Sequence, residues 1–422
     1  MSSSKLEYSV PQDKLVCRIC NSGLNTVCAD LGLSPIANDL VKFENINLGE
    51  EFYPLKAMVC NNCWLVQLTY SHQREKIFSS EYPYFSSISS SWLKHAENYV
   101  EEITDFLNLN SSSKIIEIAS NDGYLLKNFK SIGAKILGVE PCKNVAEYAI
   151  IKNQVPTISE FLTTESALVI LQQFGEADLI VANNVLAHVP NIIDFLAGID
   201  KLLAPNGVVT FEFPHLHSMI KKNQFDTIYH EHYSYLSILS VQYALNKVGL
   251  RIFKIQSLST HGGSLRVFSC HQNATFISED NVKAIIDSEI ENGLNNVETY
   301  NKFQYKVQEL KRELLSCLIA LKREDKKIIA YGAPAKGNTL LNYCGIGNDF
   351  LDYTVDLSPH KQGLYLPGSR LEILSPDVLY KDKPDYILLL PWNLKAEIIE
   401  QHKLVREWGG KFIVPIPHVE IL

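Results

Sequence analysis

The stretch Lys114-Ile-Ile-Glu-Ile-Ala-Ser-Asn-Asp-Gly-Tyr-Leu-Leu126 decides the fold. Its first five residues form a short apolar run without helical spacing, which reads as a buried strand. Asn121, Asp122 and Gly123 break that run into a turn, and the apolar residues that follow open a helix, the first step of a doubly wound parallel sheet. The next apolar run, Ala134-Lys-Ile-Leu-Gly-Val-Glu140, ends in a carboxylate 17 residues after Gly123. An acid at the tip of the second strand is where such sheets grip a ribose diol, since a carboxylate accepts from both hydroxyls. A dinucleotide needs two further glycines so that its pyrophosphate can approach the helix. Here Gly123 stands alone and Leu126 occupies the third glycine's place, so NAD is disfavoured.

The rest of the chain sets the limits within which that sheet must work. At 422 residues, 46% hydrophobic and 20% charged, it is too long for one core and too apolar for disorder, so it is globular and multidomain. A net charge of −8 without long basic runs argues against nucleic acid. No apolar stretch is long enough to span a bilayer, and the Ser-rich start lacks the order of a signal peptide. The expectation is a cytoplasmic protein that uses neither membrane nor nucleic acid.

The turn at 119–123 looks like motif I of the S-adenosylmethionine-dependent methyltransferases, in which an acidic strand residue, here Glu117, faces the methionine ammonium. Ala119 and Asn121 stand where glycines are common. Ala177-Asp-Leu-Ile-Val-Ala-Asn-Asn-Val-Leu-Ala-His188 then reads as a fourth strand and its loop, with a helix from Asn191, a turn over 202–207 and a strand over 208–214. This order agrees with a class I Rossmann-like domain. Glu117, Ala119, Asn121, Gly123, Glu140 and Asn183 are its candidate cofactor contacts. Taken alone, His188 reads as a capped loop histidine before it reads as a catalytic one.

Of nine cysteines, four fall in two pairs, Cys17-Arg-Ile-Cys20 and Cys60-Asn-Asn-Cys63. Each pair puts two thiolates on one tight turn, and two such turns supply the four soft ligands of a tetrahedral zinc. Four cysteines close the shell, so this metal is structural. The 39 residues between the pairs, which include Leu33-Ser-Pro-Ile-Ala-Asn38, must form a loop or hairpin. Cys28, Cys142, Cys270, Cys317 and Cys344 read as small buried hydrophobes. Beyond the second pair, Tyr82 and Tyr84 sit in an aromatic, hydroxyl-rich loop, where ligand contact and plain packing are equally open, and a helix is expected over Trp92–Leu107.

Phe225-Asp-Thr-Ile-Tyr-His-Glu-His-Tyr-Ser-Tyr-Leu-Ser237 concentrates two histidines, a glutamate and three tyrosines. Such groups are costly to bury singly, so they line a cleft or hold a metal. The spacing lacks the HExxH form of a zinc helix. In an extended segment His230 and His232 would share a face opposite Glu231, which suits acid–base work better.

With this cluster in place, the chain resembles, over its whole length, the S-adenosylmethionine-dependent sugar C-methyltransferases that act at C3 of nucleotide-linked 4-keto-deoxysugars. The resemblance implies a thymidine diphosphate handle, an enolate, His232 as base, and Glu231 and Tyr229 orienting it or steadying the enolate. His188 is the competing base, and Tyr82 or Tyr84 is the pocket tyrosine. It further implies a zinc-binding domain over residues 1–74, a methyltransferase domain over 75–278 and a second α/β Rossmann-like domain over 279–422. A monomer or weak oligomer is expected.

In the C-terminal half, Ser259-Thr-His-Gly-Gly-Ser-Leu-Arg266 is a Gly-rich turn opening a strand. His261, Gly262, Gly263 and Arg266 there suit a sugar or phosphate, or merely a tight turn. Ile286, Ile290, Leu294, Val297, Phe303, Val307, Leu310 and Leu314 recur at helical intervals and should face inward. Lys327-Ile-Ile-Ala-Tyr-Gly-Ala-Pro-Ala-Lys-Gly-Asn338 starts another strand, turn and helix, but Asn338 replaces the lysine of a Walker loop. Lys336, and Lys361 in Ser358-Pro-His-Lys-Gln-Gly363, are candidates for a diphosphate. Two rival readings are a nucleotide-sugar oxidoreductase using NAD and a zinc-bearing scaffold without catalysis.

Overall fold

The strand read at Lys114 forms over Lys114–Ile118 and is buried along four of its five residues, as an interior parallel strand must be. The computed structural model that shows this describes residues 15–70, 78 and 85–422, and of His261 the backbone alone. Lys114–Ile118 pairs in parallel with Lys135–Val139 on one side and Ala177–Asn183 on the other. Across the seven-stranded sheet the order is Leu250–Leu258, Ser264–His271, Leu203–Pro214, Ala177–Asn183, Lys114–Ile118, Lys135–Val139, Thr157–Ile158. Ser264–His271 runs antiparallel to both its neighbours. Chain direction along the sheet reverses between Lys114–Ile118 and Ala177–Asn183, so the loops leaving their carboxyl ends part and open a crevice.

The turn after Ile118 has a left-handed backbone at Ala119 (φ 54°), Asn121 (φ 49°) and Gly123 (φ 76°). Ala119 and Asn121 therefore keep the conformation that glycine would supply, at about 1 kcal/mol for the alanine. The bond from Ala119 N to the Val139 carbonyl, 2.7 Å, helps to hold it. At Gly123 a side chain is excluded as well, since a Cβ would lie 2.8 Å from Val155 Cγ2. The helix that follows is a 3₁₀ helix, Leu126–Ile132. It offers no α-helical N-terminus to a pyrophosphate, which removes a support for the dinucleotide reading. The turn expected at 202–207 is drawn into the strand Leu203–Pro214, with an irregular register opposite Ala177 and Leu179.

The cysteine-bearing segment folds as the expected hairpin, Thr26–Ser34 against Tyr53–Val59, followed by Val66–Leu68. The fourth strand of this antiparallel sheet, Ser234–Tyr235, comes from the middle of the chain, directly after the histidine cluster. One side of this module, with Cys17, Ile19, Met58 and Leu65, packs into the core of the central sheet. The other side, with Ala29, Leu31 and Leu55, shares a core with the C-terminal domain.

That second contact is made by the helix Val297–Arg323, which lies on the strand Thr26–Ser34. Tyr300, Phe303, Val307, Leu310, Leu314, Leu318 and Leu321 recur every three or four residues and form its buried stripe. In the preceding helix, Asp280–Glu291, the expected inward Ile290 is exposed and Glu289 is buried instead. The reason is polar: the Glu289 carboxylate meets His215 Nε2 at 2.7 Å and accepts from the amides of Ile238 and Leu239, the free N-terminus of the earlier helix Ile238–Lys247. Ser90–Leu107, expected over Trp92–Leu107, is capped by Ser89, whose side chain accepts from Trp92 N, and buries Ala96, Tyr99, Val100 and Ile103.

The C-terminal sheet is parallel in the order Ile373–Leu374, Thr354–Val355, Ile328–Tyr331, Tyr386–Leu389, Lys411–Val414, with Glu420–Ile421 antiparallel at its edge. Gly332 leaves its central strand at φ 90°, and a Cβ there would stand 2.6 Å from Pro391 Cδ. Gly332→Ala is expected to destabilise this sheet by about 2 kcal/mol. Amide exchange in Ile328–Tyr331 should accelerate accordingly, and unchanged exchange would contradict the assignment. Among the described residues no helix is long and apolar enough to cross a membrane.

Candidate active site and metal centre

The two cysteine pairs form matching turns. Asn21 N bonds the Cys17 carbonyl and Trp64 N the Cys60 carbonyl, each at 2.9 Å, and Asn21 and Trp64 both take φ 60°. These turns bring the four sulfurs within 4.8 Å of one another, with Cys17–Cys63 and Cys20–Cys60 at 3.4 Å. Thiolates about 2.3 Å from a tetrahedral zinc stand about 3.8 Å apart, so the donor set fits this metal with small adjustment. All four positions are filled by sulfur, and the zinc is structural. Cys28, Cys142, Cys270 and Cys344 are buried and unbridged, and Cys317 is half-buried. The metal turn also reaches the chemistry: Arg18 Nη1 donates to the Tyr233 carbonyl at 2.8 Å, next to His232.

A cavity of about 460 Å³ opens at the carboxyl ends of the parallel strands. Ala119, Asn121, Glu140 and Asn183 are part of its lining. Both Glu140 oxygens are held, Oε2 by Asn121 N at 3.0 Å and Oε1 by Cys142 N at 2.9 Å, so the carboxylate is fixed at the tip of the second strand. Burial raises its pKa against those bonds. Asn183 Oδ1 is buried and has no hydrogen-bond partner among the described residues. Glu117 lies behind the lining, buried, with Oε2 likewise unmatched. Burial, then repulsion by Asp122 and Glu140, push its carboxyl well above the usual range. The unmatched Oε2 of Glu117 beside this turn suits a cation such as an amino-acid ammonium, and Glu140 suits a ribose diol, so the residues present suit S-adenosylmethionine. The loop before the helix Ser90–Leu107 closes over this turn, Ser86 N donating to Asn121 Oδ1 at 2.8 Å.

The lining of the same cavity also includes His188, Tyr229, Glu231 and His232. Residues 229–232 form a tight turn, with His232 N bonded to the Tyr229 carbonyl at 2.9 Å, and not the extended segment expected. The turn separates the two histidines. His230 is buried against the rings of Tyr53 and Tyr70, whereas Glu231 and His232 both reach the cavity. The Thr227 carbonyl lies 2.9 Å from His232 Nδ1 and can only accept, so Nδ1 carries the proton. Nε2, 2.8 Å from the Tyr229 hydroxyl, is then the acceptor in the neutral ring. The His188 ring stands edge-on at 4.6 Å from His232. The bonds described at His232 come from Thr227 and Tyr229. Glu231 is bonded by Asn38, whose Nδ2 donates to Oε1 at 2.6 Å. Burial raises the Glu231 carboxyl to about 7, against the opposing pull of Asn38 and Lys361.

The C-terminal domain adds Lys336 and Lys361 to the lining. Lys361 Nζ donates to the Ala333 carbonyl at 2.9 Å, and Lys336 Nζ bonds Asn393 and stands over the Trp392 ring. None of the described side chains of the Gly-rich turn lines the cavity. Arg266 is buried in the sheet, where it pairs at 3.0 Å with Glu212, which His95 also contacts at 2.9 Å, and stacks over Tyr99, so the interior carboxylate is matched. Gly262 and Gly263 pack against Gln224 and Ser218. The His261 side chain, Tyr82 and Tyr84 lie outside the described residues. Asn38, Thr227 and Trp92 line the cavity and were not among the expected site residues. Asn38 lies in the insert expected only to be a loop, and no spacing rule links it to residue 231.

Comparison with known proteins follows the same division. Residues 17–78 match a zinc binding domain, 92–255 a methyltransferase domain and 259–417 a C-methyltransferase C-terminal domain. C-methyltransferase NovU of Streptomyces niveus is 34% identical over 406 residues, 96% of each chain. Magnesium protoporphyrin IX methyltransferase of Synechocystis PCC 6803 with bound SAH covers 43% of this chain and 83% of its own at 15% identity and a TM-score of 0.35. A SAM-dependent methyltransferase of Archaeoglobus fulgidus covers 49% and 88% at 13% identity and a TM-score of 0.34. Both scores are too low to carry an assignment. The full-length relative carries it, and the chain belongs to the S-adenosylmethionine-dependent C-methyltransferases.

Proposed function

We propose that this enzyme methylates C3 of a nucleotide-linked 4-keto-6-deoxysugar, with a diphosphate handle of the thymidine type, through an enolate. The observation that carries this reading is the meeting of three groups of residues in one cavity: Glu140 and Asn183, the Tyr229–His232 turn, and Lys336 with Lys361. Residues 1–74 would brace the site, 75–278 hold the methyl donor and 279–422 the sugar nucleotide.

The hydrogen on a carbon next to a ketone is acidic because its loss leaves an enolate, so one positioned base and one donor to the oxyanion suffice. His232 takes that proton on Nε2. For this the Tyr229 hydroxyl must turn away from Nε2, and it is then free to donate to the enolate oxygen. Nδ1 keeps its bond to Thr227, which holds the imidazolium ring in place. Glu231, when ionised, accepts from a sugar hydroxyl and sets the ring of the acceptor against His232. Lys336 and Lys361 offer positive charge to the diphosphate. S-adenosylmethionine, when bound, supplies an electrophilic methyl carbon.

Incubation with a panel of nucleotide-linked ketosugars and a methyl-labelled donor tests the proposal. Mass analysis should find one labelled methyl on a 4-keto-6-deoxysugar and none on the sugar whose ketone has been reduced. Equal labelling of both would exclude the enolate route.

A further inference from the structure

The insert between the two cysteine pairs does more than close the hairpin. Residues 35–52 lie against the C-terminal domain, where Val41 and Tyr365 exchange two backbone bonds of 2.8 Å. Arg370 fastens the far end: Nε meets Glu50 Oε2 at 2.8 Å, while Nη1 and Nη2 donate to the Ile46 and Leu48 carbonyls at 3.0 and 2.9 Å. Gly368 N adds a bond to the same Glu50 carboxylate at 3.1 Å. Between the hairpin and this clamp the insert carries Asn38 to the cavity lining.

We infer that Asn38 is a positioning residue of methyl transfer, set by the Arg370 clamp, which holds Glu231 in the ionised form that the acceptor meets. The inference rests on the proposed role of Glu231, but its bond does not. Asn38 Nδ2 donates to Glu231 Oε1 at 2.6 Å, and this is the direct polar contact from the zinc-bearing module to the catalytic turn's side chains among the bonds described. A donor to a carboxylate favours its charged form. Lys361 of the C-terminal domain and Cys142 of the central sheet interact electrostatically with Glu231, and Lys336, Glu140, His188 and His232 are further titratable groups of the same cavity lining. Lys361 also favours the charge, but its ammonium is shared with the Ala333 carbonyl. Burial acts against both and leaves the carboxyl at about 7, where losing one donor changes the ionised fraction at neutral pH.

The test follows the carboxyl carbon of Glu231 in full-length protein carrying ¹³C-labelled glutamate, assigned with Glu231→Gln. Asn38→Ala should raise its midpoint by about one unit, and Asn38→Asp, of the same shape with an added charge, by more. Arg370→Ala should raise it less. With a one-unit rise, methyl transfer at pH 7 falls about fivefold and recovers as pH increases, while KM for the donor is unchanged. A midpoint that stays at the wild-type value in both Asn38 variants overturns the inference, and one unmoved in Arg370→Ala overturns the clamp. If wild-type protein transfers no methyl to ketosugars, the substrate proposal fails, whereas the midpoint still decides whether Asn38 governs Glu231.

Discussion

His232→Ala is expected to lower kcat for methyl transfer by about 10²- to 10⁴-fold, the range for loss of a positioned general base. The ring is built for that task. Thr227 fixes the tautomer, Tyr229 marks the lone pair, and the turn at 229–232 is tied on both sides. His188→Ala should cost less, because His232 is held at both ring nitrogens, by the Thr227 carbonyl at 2.9 Å and the Tyr229 hydroxyl at 2.8 Å, in the fixed geometry that proton transfer needs. Calorimetric titration should find S-adenosylmethionine binding to His232→Ala within about twofold of wild type, since the donor's candidate contacts are other residues of the lining. If His188→Ala lost more activity than His232→Ala, the two roles would be exchanged. Should His232→Ala lose activity and donor binding together, the residue would be holding the fold instead.

Removing the zinc is the second large effect. A structural zinc contributes roughly 10–16 kcal/mol of apparent binding free energy to its fold. The whole stability of a domain is about 5–15 kcal/mol. Cys60→Ser, or chelation of the metal, is therefore expected to melt the N-terminal sheet and to reduce methyl transfer to background, although no cysteine lines the cavity. The link is physical. Val66–Leu68 pairs with Ser234–Tyr235, and both Arg18 and Leu68 donate to the Tyr233 carbonyl. Loss of the metal releases the segment that carries Glu231 and His232. Metal analysis, circular dichroism and turnover on one preparation would check this. Metal-free protein with wild-type turnover would show that the module is dispensable for the site.

How much of this could be read beforehand depended on the range of the interactions. The strand–turn start at 114–123 and the four cysteines are local patterns, and their geometry follows from neighbours in sequence. Ala119 and Asn121 looked like departures from a glycine-rich turn, yet they keep its left-handed backbone, because that shape is held by bonds to Val139 and Glu140. Long-range matters were not legible. Arg266, read as a sugar or phosphate contact, is consumed by Glu212, a partner 54 positions away. Ile290 was read as core on periodicity alone, but the buried face of its helix belongs to Glu289, which the N-terminus of another helix recruits. The cluster at 229–232 was recognised by its composition. Its turn, which sends His230 one way and His232 another, depends on the sheet that receives the next two residues. Asn38 carried no signal of its own.

The central claim is that His232 takes the proton from the carbon that receives the methyl group. Turnover of a nucleotide-linked 4-keto-6-deoxysugar with deuterium at C3, followed by mass analysis of the methylated product, tests it most directly. The expected result is complete loss of that deuterium, with a slower rate than for the protium substrate and turnover by His232→Ala lowered by about 10²- to 10⁴-fold. A methylated sugar that keeps its C3 deuterium would contradict it.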